Sequence, residues 1–590
     1  MTKKNSNLPS WDLSPLYTSL NSKEIDSDLK KSSHLEKNFT KKYKSNITSL
    51  NASELHSAIK EYEKMEEILG RLSSFAYLYY AENMMDEKRS GFYQNIYEKI
   101  NDISSELIFF TLEINQIENS DLKRMLTESQ ELTRYKPWLR DVREYRPHQL
   151  NDKLEQILHE KDQTGRQAWQ RLFDETLADL QFNFRGESLN CAEIFDKMSS
   201  KDESIRKDAA KSISQTLKDN IKIFALITNT LAKDKSIDDK WRNFAKPISS
   251  RNLSNYIEDD VVDALISSVK DSYPALSHRY YKIKAKWLGK EKLEYWDRNA
   301  PLPDDLSDKI SWEDAKEIVL SSYNAFSPKL GELGQKFFDN NWIDVAPKKG
   351  KDSGAFSHPT VPSANPYILL NYQGKVRDVM TLAHELGHGV HQLLSAKQGT
   401  LMADTPLTLA ETASVFGEQL TFRKMLDLET DSKKKNIIIA GKVEDMLNTV
   451  VRQIAFCEFE REIHDRRKYG EIYAEEICDI WQNIQSESLG DGIKAHDDYK
   501  YYWSYIPHFV HSPFYVYSYA FGDCLVNSLY AKYLEGMDNF ESKYFEMLKA
   551  GGTLRHKELL APFGLDASKK DFWASGLKVI SNFIDELEKS

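Results

Sequence analysis

Three residues in one short stretch carry a pattern suited to metal-assisted hydrolysis: His384, Glu385 and His388, within Thr381-Leu-Ala-His-Glu-Leu-Gly-His-Gly-Val-His-Gln392. Residues four apart on an α-helix lie nearly one above the other, so His384 and His388 can offer two imidazoles to one cation. Glu385 is turned about 100° around the helix, beside the ion rather than on it, where a carboxylate can take the proton of an activated water. An H-E-x-x-H pattern placed this way points to hydrolysis of peptide bonds. Val379, Ala383, Leu386, Val390 and Leu393 fall on a different stripe and give the helix a face to bury. Gly387 and Gly389 interrupt the helix at about 1 kcal/mol each relative to Ala, which predicts close approach by a substrate backbone or a packed helix.

A catalytic zinc takes three protein ligands and leaves one position open. Glu411 is the nearest candidate for the third. Thr405-Pro406 reads as the start of a second helix, with Leu409, Ala413, Phe416 and Leu420 as its buried stripe. Glu411 lies inside that helix among small and apolar neighbours, where a carboxylate needs a partner. Glu418 is seven residues on, about 20° away in projection, and is placed to orient a ligand by a hydrogen bond. His391 shares the stripe of the other two histidines but sits about 10.5 Å along the axis from His384. Bonds near ~2 Å cannot easily serve one ion from three successive turns, so His391 ranks behind Glu411 as an orienting or packing residue. A His/His/Glu set favours zinc over cobalt or manganese.

These two helices need a large frame, and the 590 residues supply one, with 40% hydrophobic and 29% charged residues. The net charge of −11, with no long basic block, argues against nucleic acid as a partner. Residues Met1 to Ser10 have no apolar core, so no secretory signal is expected, and no apolar run reaches the ~18 residues a membrane span requires. Cys191, Cys457, Cys478 and Cys524 are far apart and fit reduced thiols of a cytoplasmic protein with no metal role. Lys348, Lys349 and Lys351 read as a short loop cluster, and Lys433 to Lys435 as a solvated helix start or turn.

Three consecutive regions follow from the texture: residues 1–150 as amphipathic helices, 151–345 as a second helical region, and 346–590 around the H-E-x-x-H helix. The aromatic residues between Phe75 and Ile117 recur at helical spacing and read as a helix–helix core. A turn or hairpin is expected around Phe184-Arg-Gly-Glu187, and loops at Tyr145 to Leu150 and Asn299 to Asp304. Tyr367-Ile-Leu-Leu-Asn-Tyr372 is the best strand candidate, and its edge could hold an extended peptide by main-chain hydrogen bonds.

His384-Glu-Leu-Gly-His-Gly-Val-His391 followed by Leu409-Ala-Glu-Thr-Ala-Ser414 resembles the oligoendopeptidase F family of thimet-oligopeptidase-like zinc metallopeptidases. Further landmarks in the same order are Trp11-Asp-Leu-Ser14, Gly354-Ala-Phe-Ser357, Pro507-His-Phe509, Phe514-Tyr-Val-Tyr-Ser-Tyr519, Pro562-Phe-Gly564 and Phe572-Trp573, so the likeness runs over nearly the whole chain. The resemblance implies a mainly α, two-lobed fold with a deep central channel and a small β-sheet beside the active site. Residues 151–345 would then form a channel wall. It also implies internal cleavage of short peptides, one Zn2+ per chain on His384, His388 and Glu411, and Glu385 as the catalytic glutamate. The family brings a His and one or more Tyr over the zinc. His508 matches that histidine, with His511 competing for the role, and Tyr515 and Tyr519 are the best tyrosine matches. Such donors can contribute ~3 kcal/mol each to an oxyanion. Two other readings stay open: a zinc carboxypeptidase of similar build, which needs a cationic site for the terminal carboxylate, and a non-enzymatic peptide-binding protein, for which Glu385 would have no use.

Overall fold

A computed structural model describes residues 8–302 and 309–589. Residues 1–7, most of the Met1 to Ser10 stretch, lie outside the described residues, as does the end of the loop expected at Asn299 to Asp304. In chain order, the elements that bear on the site begin with α1 (Ala52–Ala81), α2 (Glu87–Ile114), α3 (Arg166–Asp179), β1 (Phe182–Phe184), β2 (Glu187–Leu189) and α4 (Ser249–Ser254). They continue with α5 (Trp312–Phe326), α6 (Pro328–Asp339), β3 (Ile343–Asp344), β4 (Phe356–His358), β5 (Tyr367–Leu369) and α7 (Val376–Ser395). The last are α8 (Leu407–Leu428), α9 (Val451–Arg467), α10 (Tyr517–Leu534) and α11 (Phe540–Lys549). The chain is mainly helical, and among the described residues no helix is long and apolar enough to cross a membrane.

The helices divide into two compact units, each built from separated stretches of chain. The first comprises residues 1–146, 308–428 and 532–564; the second comprises 147–307, 429–531 and 565–590. The reading by texture runs instead in three consecutive blocks.

In the first unit the aromatic stripe is a helix–helix core, as its spacing predicts. Phe39, Leu55, Ile59, Leu107 and Phe110 are buried together, and Tyr80 stacks on Tyr93 at 5.0 Å between ring centres. Asn51 starts α1 with a reciprocal cap: its side chain accepts from the Glu54 amide at 3.0 Å, and Glu54 accepts from the Asn51 amide at 2.9 Å. A second core joins Trp11, Leu72 and Phe75 to Tyr367 and Leu369 of the sheet. The Tyr367 hydroxyl donates to the Asp12 carbonyl at 2.7 Å, so the segment around Trp11 seals the sheet.

The sheet corrects the substrate-strand expectation. Its order is β3-β5-β4, with β5 parallel to β3 and antiparallel to β4. Tyr367, Ile368 and Leu369 are all buried, as a central strand covered on both faces requires. With a neighbour on each side, β5 has no free edge. β4 pairs Phe356 with Leu369 and His358 with Tyr367, is half-buried, and has no second strand neighbour among the described residues. Lys351 lies in the expected loop but is buried, and its ammonium reaches the carbonyls of Asp344 at 3.1 Å and Ala346 at 2.9 Å.

In the second unit the expected hairpin forms: β1 and β2 pair antiparallel across Arg185 and Gly186, whose φ angles of 53° and 90° make the left-handed two-residue turn that suits strand twist. α10 is buried on nearly every side from Tyr517 to Tyr530, with Tyr519 as its exposed exception at 38%. The four cysteines are free, three of them buried.

Candidate metal centre and active site

α7 and α8 cross closely enough to bring three donors together. A Cβ on Gly387 would lie 2.4 Å from the Ala413 carbonyl oxygen and 2.7 Å from Ser414 Cα, so the backbone of α8 occupies the space a side chain would need. Gly417 does the reciprocal service, with the Tyr323 hydroxyl and the Ala383 carbonyl against it, and Tyr323 donates to that carbonyl at 2.6 Å. The close approach expected at the glycines is therefore a packed helix at Gly387, and at Gly389 the ring of Phe337 from α6. Tyr544 of α11 fixes α8 from another side, donating to the Thr412 carbonyl at 2.8 Å.

At this crossing, ligand atoms of His384, His388 and Glu411 all lie within 4.8 Å of one another. Glu411 Oε2 is 3.4 Å from His384 Nε2 and 3.6 Å from His388 Nε2. A tetrahedral ion with bonds of about 2.0–2.1 Å sets its ligand atoms about 3.4 Å apart, so two imidazole nitrogens and one carboxylate oxygen here fit a single zinc-sized cation. His384 and Glu411 each have an orienting partner. His384 Nδ1 lies 2.8 Å from Glu418 Oε1, the bond expected from the seven-residue spacing. Ser414 donates to Glu411 Oε2. Sequence reasoning missed Ser414, although its i+3 offset from Glu411 on a helix was visible.

The electrostatics also suit a cation. Burial opposes charging the His384 ring, but the Glu418 hydrogen bond and the charges of Glu418, Glu411 and Glu385 outweigh it and raise the ring to about 9. Glu385 is buried, which with Glu411 and Glu418 nearby raises its carboxyl to about 7, the charge of His384 working the other way. Burial holds His388 down at about 4. His391 is outside the cluster: it is buried, held neutral by that burial at about 4, and its Nε2 lies 3.3 Å from the Thr405 hydroxyl. β4 lies against α7, where Gln392 Nε2 donates to the Ser357 carbonyl at 3.1 Å and the Ser357 hydroxyl donates to Gln392 Oε1 at 2.8 Å.

The second unit places the remaining expected residues, and it treats the two histidines differently. His508 Nε2 lies 3.3 Å from the Tyr519 hydroxyl, and Tyr515 stacks on the His508 ring at 6.1 Å. His511 instead turns to Asp174 of α3 at 2.7 Å, with its ring edge-on to Phe173. The segment between them is pinned on several sides: Gln170 donates to the Val510 carbonyl, Arg166 to that of His511, and Arg251 to that of Pro513. Phe514 has a left-handed φ of 60°, and its amide donates to Glu460 Oε1 of α9 at 2.8 Å.

Glu460 is buried, and its other carboxylate oxygen has no hydrogen-bond partner. Burial raises its carboxyl from 4.5 to about 8, against the Phe514 hydrogen bond and the charges of Arg251 and Lys235. A raised carboxyl pKa in the folded state means that the folded state holds more protons, so stability is lost as pH rises from about 4.5 through about 8. Glu460→Gln, neutral throughout, is expected to melt at the wild-type temperature near pH 5 and several degrees higher at pH 9. Parallel melting curves at all pH values would contradict this.

The chain matches the family described as peptidase family M3 over residues 197–579, and that described as oligopeptidase F over residues 113–182. Oligopeptidase PepF of Bacillus subtilis is 28% identical over 567 residues, covering 93% of this chain and 82% of the relative. An oligoendopeptidase F homolog of Borreliella burgdorferi is 28% identical over 586 residues, covering 98% of each. In fold, the crystal structure of oligoendopeptidase-F from Enterococcus faecium aligns with a TM-score of 0.72 at 21% identity, covering 96% of this chain and 98% of that one. A helical frame, an H-E-x-x-H helix locked against a second helix that carries a glutamate, and a family match over most of the chain agree: this chain belongs to peptidase family M3 and is a metalloendopeptidase of the oligoendopeptidase F kind.

Proposed function

We propose that the protein is a zinc endopeptidase that cuts internal bonds of short oligopeptides, with one zinc per chain held by His384, His388 and Glu411. The observation that supports this most directly is the convergence of His384 Nε2, His388 Nε2 and Glu411 Oε2 beside the buried Glu385. Zinc in that position supplies Lewis acidity toward a carbonyl oxygen and lowers the pKa of a water. Glu385 accepts the proton of the attacking water on its carboxylate and passes it to the leaving amine nitrogen. Glu418 keeps His384 in the tautomer with its Nε2 lone pair free, and Ser414 keeps the Glu411 carboxylate turned toward the histidines.

In this reading His508 and Tyr519 donate to the oxyanion, and Tyr515 steadies the His508 ring. The peptide backbone pairs with the edge strand β4 rather than with β5. Restriction to short substrates comes from the walls of a channel, and the location is cytoplasmic.

The test uses an internally quenched peptide blocked at both ends. The protein is expected to cut it, to lose activity on complete chelation, and to regain it with one equivalent of zinc. Cleavage that survives metal removal would sink the zinc assignment. Release of terminal residues only, from unblocked peptides, would favour the carboxypeptidase reading. Glu418→Gln is expected to weaken zinc binding about 10–100-fold, measured by competition with a fluorescent chelator.

A further inference from the structure

Among the described residues, two arginines of the second unit form no salt bridge. Arg298 follows Tyr295–Asp297, and Arg452 is the second residue of α9. Arg298 Nη1 donates to the Tyr499 hydroxyl at 3.1 Å, and Arg452 Nη2 to the Tyr505 hydroxyl at 3.4 Å. Arg452 lies over the ring of Phe456 at 5.0 Å, and its buried Nε has no hydrogen-bond partner. The two belong to one cluster: the tyrosines that hold them are joined through Tyr502, whose ring centre lies 4.7 Å from that of Tyr499 and 5.9 Å from that of Tyr505.

Three carboxylates near Arg298 are committed elsewhere. Asp297 takes Arg206 at 2.7 Å and Lys290 at 2.5 Å. Glu444 takes Lys284 at 2.6 Å and the Tyr280 hydroxyl at 2.7 Å. Glu294 takes Lys494 at 2.6 Å and His496 at 2.5 Å. Among the described residues no salt bridge joins either Arg298 or Arg452 to a carboxylate. Tyrosine hydroxyls orient a guanidinium but do not neutralise it, and a half-buried charge without a counter-ion is unfavourable. Guanidinium forks match carboxylates in shape as well as charge.

The cluster adjoins the segment of His508. Tyr505 lies three residues before it, Phe456 packs on Phe509 at 5.5 Å, and the Arg452 charge adds to burial in holding the His508 ring below its usual range. We propose that Arg298 and Arg452 bind a carboxylate of the peptide substrate, its C-terminal group or an acidic side chain. This inference rests on the peptidase reading above. It makes the two arginines determinants of which peptides are held and where they are cut.

The test compares three quenched peptides of one sequence: the free C-terminal acid, the C-terminal amide, and the amide with a glutamate near its C-terminus. Wild type is expected to cut the acid with a kcat/KM about tenfold or more above the amide, chiefly through KM, as a charge-assisted hydrogen-bonded pair implies. In Arg452→Gln and Arg298→Gln that ratio is expected to collapse toward one, and Arg452→Lys to keep part of it. If the glutamate restores the advantage to the amide, the carboxylate site stands and its source is a side chain. Should the arginine variants fold poorly, binding of acid and amide to Glu385→Gln, followed by fluorescence anisotropy, reads the same preference directly. Equal cleavage of all three peptides by wild type, or a ratio unchanged in the arginine variants, overturns the inference and leaves the peptidase reading intact. Failure to cut any of them counts against that reading instead.

Discussion

Glu385→Gln is expected to lose about 10²–10⁴-fold in kcat/KM while binding zinc as the wild type does, because the amide keeps the shape of the carboxylate and cannot take a proton. The measurement pairs cleavage of a quenched peptide with metal analysis of the same sample. Glu385 lies outside the cluster of His384, His388 and Glu411 and is buried beside it, so its removal should separate chemistry from metal holding. The loss should fall mainly on kcat, since a proton acceptor acts more strongly in the transition state than in the bound substrate. A variant that cut peptides at the wild-type rate would end the general-base assignment. One that lost its zinc as well would show that the carboxylate supports the site structurally.

Gly387→Ala should produce the second large effect, by a different route. The added methyl meets the carbonyl oxygen and Cα of α8 itself, which no rotamer change can relieve. α7 and α8 must part, and Glu411 moves away from His384 and His388. Overpacking of this kind costs about 1–3 kcal/mol. The more telling result is metal affinity, expected to fall by at least about tenfold because Glu411, displaced by a fraction of an ångström, would no longer complete the proposed ligand set. Gly91→Ala is the control: a Cβ there meets nothing within 4 Å. Equal zinc affinity for Gly387→Ala and wild type would mean that the crossing does not set the ligand distances.

What the sequence revealed of this centre was what local geometry determines. His384, His388 and Glu385 are related by helix periodicity alone, and Glu418 meets His384 as its spacing from Glu411 suggested. The buried stripe of Leu409, Ala413, Phe416 and Leu420 held for the same reason. Properties that depend on distant partners were illegible. Which short strand lies at the sheet edge follows from pairings of three residues or fewer, and the more apolar β5 turned out to be the central one. That Gly387 faces a helix backbone required knowing the crossing. The difference between His508 and His511 depends on Asp174, 337 residues from His511, and no pattern in the intervening chain announces it. The same holds for Lys351, whose burial is decided by the carbonyls of Asp344 and Ala346 curling around it.

The bond from Tyr367 to Asp12 spans 355 residues, and that from Tyr544 to Thr412 spans 132. On a ribosome these lengths become times. α1 and α2 are adjacent in sequence and can pack as soon as they emerge, but the sheet waits for residue 367 and the support of α8 for residue 544. At roughly 5–20 residues per second, the H-E-x-x-H helix is synthesised many seconds before Tyr544 arrives to hold its partner in place. Vectorial synthesis thus keeps a peptide-cutting centre unfinished while its own chain is still extended and vulnerable, a delay enforced by topology alone.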